Sequence, residues 1–429
     1  MAKHQQLKTD MSDRFFKDIS ELYPISEHRY KCTSISDVNF CQLGVLRCLG
    51  SSVTGQEFLQ HHADEMVADI DPGHFFKALG SPRRLANLES LNELLAGPMR
   101  REVEDPYSAF PELDGWRLYA GDGHYHGAAS FDPKSSDSEG GKKSRATGHF
   151  FRVDMRTHHM GHIDMASPKD GRKTEHDMRM LKRTSAGQLR NGAPNGMKVM
   201  YVWDKASIDY VFWEGMKNSH GIYVTTMEKS NSAAEACSPD LTDRSDARNG
   251  GVVSCRKIRT PAGVVLRRIV YVDPKDGVSY TYITNDMTLP PFVLVLLYKH
   301  RWDLEKMFYQ FKSKFKERKS WGSSPATKKC HAVFECIAHN LLLLFEKRIE
   351  TGEGVSDEVE PKKREGRAKS AVGKTAGRML KKTANTVNSS VQRATHRTQR
   401  FIRWVRVRIY RRAPWGESMD RLRSVWGLT

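Results

Sequence analysis

Apolar positions recur every three to four residues over Ser36–Leu49 and again over Arg84–Leu95, where Leu85, Leu88, Leu91, Leu94 and Leu95 form one stripe. That period predicts helices. Ser81-Pro82 and Gly97-Pro98 supply a start and a stop for the second of them. Residues 1–112 therefore read as a helical N-terminal unit. The pattern changes at Trp116. Trp116–Ala120, His149–Met155 and Met160–Met165 read as short strands, and Glu175–Leu189 as a helix. Lys198–Trp203 (KVMYVW) is a near-continuous apolar run, as expected of a strand buried on both faces, and it ends in Asp204. A helix over Ser207–Asn218 and a strand over Gly221–Met227 follow, so strand, helix and strand alternate as in an α/β core with a mixed sheet. Ser230–Asn249 is polar and reads as a loop. Val252–Thr284 is strand-rich, with turns at Pro261–Gly263 and Asp273–Gly277, and reads as an all-β insertion within 230–286. Pro291–Arg318 and the strongly apolar Ala332–Ile349 are the last helices of the core.

Composition sharpens this picture at one end. Of 69 Lys and Arg, 19 fall in residues 361–429 against 3 Asp and Glu, a net charge of +16, whereas the first 360 residues carry +2. Such density suits a polyanion, because each neutralised phosphate releases condensed counterions. Residues 351–429 thus read as a linker and a basic C-terminal extension. Within it, Phe401–Arg412 (FIRWVRVRIYRR) interleaves arginines with Trp404 and Tyr410, which could stack on bases. A solvated surface or a membrane-surface amphipath would show the same pattern. No stretch reaches the ~18 apolar residues of a membrane span. The opening MAKHQQLKTD lacks an apolar core, so no secretory signal is expected. The seven cysteines include no CxxC pair, which disfavours a zinc module or disulfide scaffold.

Candidate chemistry concentrates in Tyr298–Lys312, YKHRWDLEKMFYQFK. With Tyr298 at zero and ~100° per residue, Arg301, Glu305 and Lys312 fall at roughly −60°, −20° and −40°. Leu297, Leu304, Phe308, Phe311 and Phe315 fall between roughly −80° and −140°. A polar row thus borders the apolar seam that docks the helix. A carboxylate there can ligate a metal, and the cations beside it can hold phosphate oxygens, Arg through its bidentate fork. An amphipathic helix with surface ion pairs has the same spacing.

Residue identity separates the two. Tyr, two residues, Arg, three residues, Glu, six residues, Lys resembles the Y-R-E-K signature of the insertion-sequence-four family of bacterial DDE transposases. The lead-in Tyr282–Pro290 resembles that family too. The resemblance covers residues 115–345. It implies an RNase H-like core (113–350) in which three carboxylates hold two Mg²⁺, with Mn²⁺ as a substitute. Two-metal sites suit in-line displacement at phosphorus, and Mg²⁺ prefers few carboxylates plus water and phosphate oxygens. Glu305 is the third acid of the implied triad. Asp122 is the first, in Gly121-Asp122-Gly123, although Asp-Gly is also a strong turn signal. Asp204 is the second, at the end of KVMYVW, where open α/β sheets place their chemistry. The family usually has Arg-Gly after this Asp, and the chain has Lys205-Ala206. Asp209 is a rival placed inside the following helix, and Ser207 is the expected N-cap.

The same resemblance implies cleavage at transposon ends by an activated water, then attack of the freed 3′-OH on target DNA. Tyr298, Arg301 and Lys312 are implied to grip phosphates. The N-terminal helices would read the terminal inverted repeats on double-stranded DNA, as a homodimer in the bacterial nucleoid, with no membrane partner. A nuclease without strand transfer, or a transposase-derived protein that binds DNA without cutting, would keep much of this sequence. A second histidine-rich region, His158, His159, His162 with Asp164 and then His176-Asp177, lacks a metallohydrolase arrangement. His124 and His126 lie close enough to Asp122 to touch substrate but are not expected to be ligands.

Overall fold

The computed structural model describes residues 10–23, 35–49, 57–59, 72–132, 134–135, 143–144, 146–166, 177–274, 277–301, 319–355 and 399–426. Nine strands form one mixed sheet: β1 Trp116–His126, β2 Thr147–Asp154, β3 Met160–Met165, β4 Lys198–Val202, β5 Ile222–Met227, β6 Glu235–Ala236, β7 Val252–Arg259, β8 Val265–Val272 and β9 Ser279–Thr284. Their spatial order is β3-β2-β1-β4-β5-β9-β8-β7-β6. The central trio β1, β4 and β5 is parallel, and every outer pairing is antiparallel. The apolar run KVMYVW earns its central place, since Val199, Met200, Tyr201 and Val202 are all fully buried. The strand-rich segment after residue 230 forms the hairpins expected of it, with Gly263 and Gly277 at positive φ in the turns. Its last strand, β9, pairs with β5 and so lengthens the core sheet rather than stacking as a separate layer.

The N-terminal helices are α1 Met11–Phe15, α2 Lys17–Leu22, α3 Asp37–Cys48, α4 Pro72–Leu79 and α5 Pro82–Glu102. Ser36 caps α3 by accepting from the Asn39 amide at 3.0 Å, and Ser81 caps α5. The expected stop at Gly97-Pro98 does not hold, because α5 runs through Pro98 to Glu102. Helices α6 Asp177–Arg183, α7 Ala186–Arg190 and α8 Tyr210–His220 cover the sheet's other side. Helix α9, Pro325–Glu353, is the spine of the molecule. Val333, Phe334, Ile337, Leu341 and Leu344 share one core with α3, α5 and the sheet. Polar ties fix the same contact: the Asn340 amide donates to Asn92 Oδ1 at 3.0 Å, and the Met160 amide donates to Asn340 Oδ1 at 2.9 Å. The Arg348 guanidinium spans Asp18 and Glu102.

The C-terminal segment is not a solvated ribbon where it is described. Helices α10 Gln399–Tyr410 and α11 Trp415–Trp426 pack onto α9. Trp404, considered above as a base-stacking residue, is buried; its indole N–H donates to the Ser418 carbonyl at 2.9 Å and its ring stacks 6.3 Å from Phe345. The apolar half of FIRWVRVRIYRR thus belongs to the core, while Arg400, Arg403 and Arg411 face solvent.

Candidate active site

Asp122 does not sit in a turn. β1 continues through Gly121-Asp122-Gly123 to His126, and Asp122 is paired opposite Phe151 of β2. The strand can pass there because Gly121 has no side chain. A Cβ at Gly121 would lie 1.9 Å from the Trp203 ring, which fills that notch. Trp203 is the residue before Asp204. Its amide donates to the Thr225 carbonyl at 3.1 Å, and its carbonyl accepts from the Thr226 hydroxyl at 2.9 Å. The Asp204 backbone is therefore fixed relative to both β1 and β5.

β1 and β4 are parallel neighbours with Ala120 opposite Val202. Two residues further come Asp122, within β1, and Asp204, just past the end of β4. Side chains alternate along a strand, so both emerge on the face opposite the Tyr119, Tyr201 and Trp203 aromatic layer. They converge on one cation. Arg301 Nη1 lies 3.3 Å from Asp122 Oδ2, and Arg301 Nη2 lies 4.0 Å from Asp204 Oδ1. The Arg301 side chain is 6% exposed, whereas the two carboxylates are 24% and 40% exposed. A buried guanidinium thus holds two acids whose outer oxygens reach solvent. Asp122 Oδ1 also accepts from the Gly123 amide at 2.8 Å.

Arg301 ends the described part of a helix over residues 291–301. Tyr298, one turn earlier, is buried with its ring 5.0 Å from Tyr282. Burial raises the Tyr298 phenol above its usual range, while the charge and hydrogen bond of Arg301 pull it down. Lys299 turns away to Asp273 at 2.7 Å, and the Tyr107 hydroxyl and His300 Nδ1 are 2.8 Å apart. Glu305 and Lys312 lie outside the described residues. The rival Asp209 is remote from this chemistry: it is the N-cap of α8, accepting from the Phe212 amide at 3.0 Å, and it pairs with Lys182. Ser207, the expected N-cap, is buried instead, with its amide on the Asp204 carbonyl at 2.9 Å.

A model of the transposase DDE domain matches residues 120–341, slightly more than half of the chain. The chain belongs to this transposase family. The matched span begins two residues before Asp122 and contains Asp204, Arg301 and Glu305. A protein named as a transposase, y4zB of Sinorhizobium fredii (strain NBRC 101917 / NGR234), is 26% identical over 148 residues, which are 33% of this chain and 41% of that relative. The chain thus spans less than half the length of this curated relative. Among solved structures, the piggyBac transposase synaptic complex with hairpin DNA is similar at a TM-score of 0.37 and 10% identity, covering 94% of this chain and 84% of the other.

The histidine-rich region does not form one ligand set. His159 Nε2 is 2.7 Å from the Asn92 carbonyl, His162 Nε2 is 3.1 Å from His149 Nδ1, and Asp164 pairs with Lys329 at 2.8 Å and with Arg183. His158 sits at φ 61° in the turn between β2 and β3, and His176 lies outside the described residues. His124 and His126 are buried rather than open to substrate. A different group was missed in the sequence: His126 meets His331 and Glu335 of α9. Glu335 lies inside the strongly apolar segment Ala332–Ile349, and His331 stands one helical turn before it.

Proposed function

We propose that the chain is a DDE transposase of the insertion-sequence-four type. In this reading it cuts transposon ends and joins them to target DNA through Asp122, Asp204 and Glu305. The observation that carries it is the convergence of Asp122 and Asp204, 82 positions apart in the sequence, on the single guanidinium of Arg301. Membership of the transposase DDE family gives that convergence its chemical meaning. The donor set suits Mg²⁺: hard carboxylate oxygens, partly solvent-exposed, one within β1 and one just past the end of its parallel neighbour β4. Asp122, Asp204 and Glu305 would hold the ions. When bound, a pair of such ions activates water and neutralises the leaving oxygen.

The chain's own groups do the positioning. The Gly121 notch and Trp203 fix the spacing of the two strand-borne acids. Arg301 balances their charge and keeps them convergent, and its fork can accept phosphate oxygens in place of carboxylates. Tyr298 buttresses Arg301 from the core, and Lys312 extends the cationic row toward DNA. In this reading the five strands β3-β2-β1-β4-β5 are the RNase H-like core within 113–350. Residues 230–286 continue that sheet, 1–112 recognise the transposon ends, and 351–429 add phosphate contacts. Two ends must meet, so the active species on DNA is a homodimer.

The test is cleavage by the full chain of double-stranded DNA carrying the element's ends, with and without Mg²⁺. A nick that leaves a 3′-OH, and transfer of that end into a second duplex, are expected. Asp122→Asn, Asp204→Asn and Glu305→Gln should each lose both steps. Cutting retained by these variants would remove the acids from the chemistry; cutting without transfer would leave a nuclease.

A further inference from the structure

Further along the strand that carries Asp122 lies a second polar cluster. His126 is on the same face of β1 as Asp122, four residues on. It meets His331 and Glu335 from the first turns of α9. All three are buried, at 2%, 0% and 0% exposure. His126 Nε2 lies 2.9 Å from Glu335 Oε2, and His331 Nε2 lies 3.6 Å from Glu335 Oε1. Yet no atom of this set makes a hydrogen bond: both nitrogens of His126, both of His331 and both oxygens of Glu335 are buried without one. The 2.9 Å approach is in reach but misdirected. Trp321 lies flat on His331 at 4.4 Å, and the His149 ring lies 4.5 Å from His126 with its own Nε2 buried and unbonded.

Six such atoms buried together are costly. An unbonded buried polar group costs a few kcal/mol and a buried carboxylate more. An ion pair between protonated His126 and Glu335 would leave His331 unserved. One nitrogen from each imidazole and one carboxylate oxygen all fall within 4.8 Å of one another. The two measured approaches run to different oxygens of one carboxylate, so the two imidazoles bracket Glu335.

We propose that His126, His331 and Glu335 form a structural zinc site that fastens the far end of β1 to α9. Imidazole with a carboxylate suits Zn²⁺, while Mg²⁺ favours oxygen donors. Full burial leaves no path for substrate, so the ion is a cross-link rather than a reaction centre. The site stands whether or not the chain cuts DNA, and it is separate from the acids that face Arg301.

The full chain is stripped with chelator, then dialysed against Zn²⁺ in the presence of excess Mg²⁺, and its metal content is measured. About one zinc per chain and a higher melting temperature are expected. Co²⁺ in place of zinc should give the intense visible absorption of a tetrahedral site in the unmutated chain, so the result does not hang on a variant's folding. His126→Gln and Glu335→Gln should lose the zinc and the temperature shift, and Asp122→Asn with Asp204→Asn should keep both. Zinc far below one per chain, no thermal response, or zinc retained by His126→Gln with Glu335→Gln would overturn the site. So would zinc lost only when Asp122 and Asp204 are changed.

Discussion

Gly121→Ala is the sharpest probe of how the two strand-borne acids are positioned. The added Cβ would lie 1.9 Å from Trp203 Cζ3 and 2.5 Å from two more ring carbons. Ordinary contact begins near 3.4 Å, so the ring would have to retreat by about 1.5 Å, the difference of the two distances. It has nowhere to go: Trp203 is 4% exposed and lies parallel to Tyr201 at 4.7 Å, with Phe150 at 5.6 Å. Overpacking of this kind costs about 1–3 kcal/mol, read as a lower urea midpoint at an unchanged slope. Removing the ring in Trp203→Ala costs about 3–5 kcal/mol through the cavity it leaves. In the double variant the new methyl enters the vacated notch. The combined loss should therefore fall short of the sum by about 0.5–3 kcal/mol. A displacement near 1 Å at Asp204 would also cut turnover on the order of 10²-fold. A Gly121→Ala midpoint equal to the parent's, or strict additivity with Trp203→Ala, would refute the notch as the spacer.

Other consequences follow from the same contacts. Arg301→Ala leaves two partly exposed acids facing each other without their cation and should destabilise by only about 1 kcal/mol; Arg301→Lys should recover part of that but not DNA cleavage, because the fork is gone, and equal behaviour of the two variants would contradict the bidentate role. Trp404→Ala should cost about 3–5 kcal/mol of stability as a core deletion, read as a lower urea midpoint, whereas Arg403→Ala with Arg411→Ala should leave the midpoint alone and weaken binding to nonspecific DNA in low salt; the reverse pattern would place Trp404 on the nucleic acid. His159 is buried and its pKa is lowered, desolvation being the main cause. The unfolded chain then binds a proton that the folded chain refuses, so stability falls as pH drops below about 6.5, by up to ~1.4 kcal/mol per unit for one such group. His159→Gln should flatten that slope in urea titrations at pH 7 and pH 5, and an unchanged slope would mean His159 accepts the proton when folded.

The elements that carry the site were legible because they obey strong local rules. KVMYVW could only be a doubly covered strand, and its last residue announced the edge at which Asp204 stands. What misled was local turn chemistry. Gly121-Asp122-Gly123 carries the residues of a turn, but the glycine serves a partner 82 positions away in Trp203, a tertiary demand no window can see. Pro98 was read as a stop, and α5 passes through it because Leu95 and Met99 are held in the core against α9. Ser207 has better capping propensity than its neighbours by type alone; burial took it and left the cap to Asp209. The alternation of apolar and basic residues in FIRWVRVRIYRR was visible, but which partner covered the apolar half was not. The His126, His331 and Glu335 group escaped for a related reason: one member is on a strand and two are on a helix just over 200 residues later, so no spacing rule connects them.

The two faces of the sheet then divide the labour at this site. On one face, Tyr119, Tyr201 and Trp203 pack in a dry aromatic layer that sets where the strand ends lie. On the other, Asp122 and Asp204 reach toward Arg301 and remain partly wet. A carboxylate that is partly wet and shares its cation with a second acid adds little to stability when one partner is removed, since Arg301 keeps the other. Changes at Asp122 or Asp204 should therefore fall on chemistry, while changes at Gly121 or Trp203 fall on stability first and reach the chemistry through geometry. A single Asp122→Asn variant that lost both the urea midpoint and cleavage would mean that the pair with Arg301 is a structural ion pair, and that the acidic pair was kept for folding rather than for DNA.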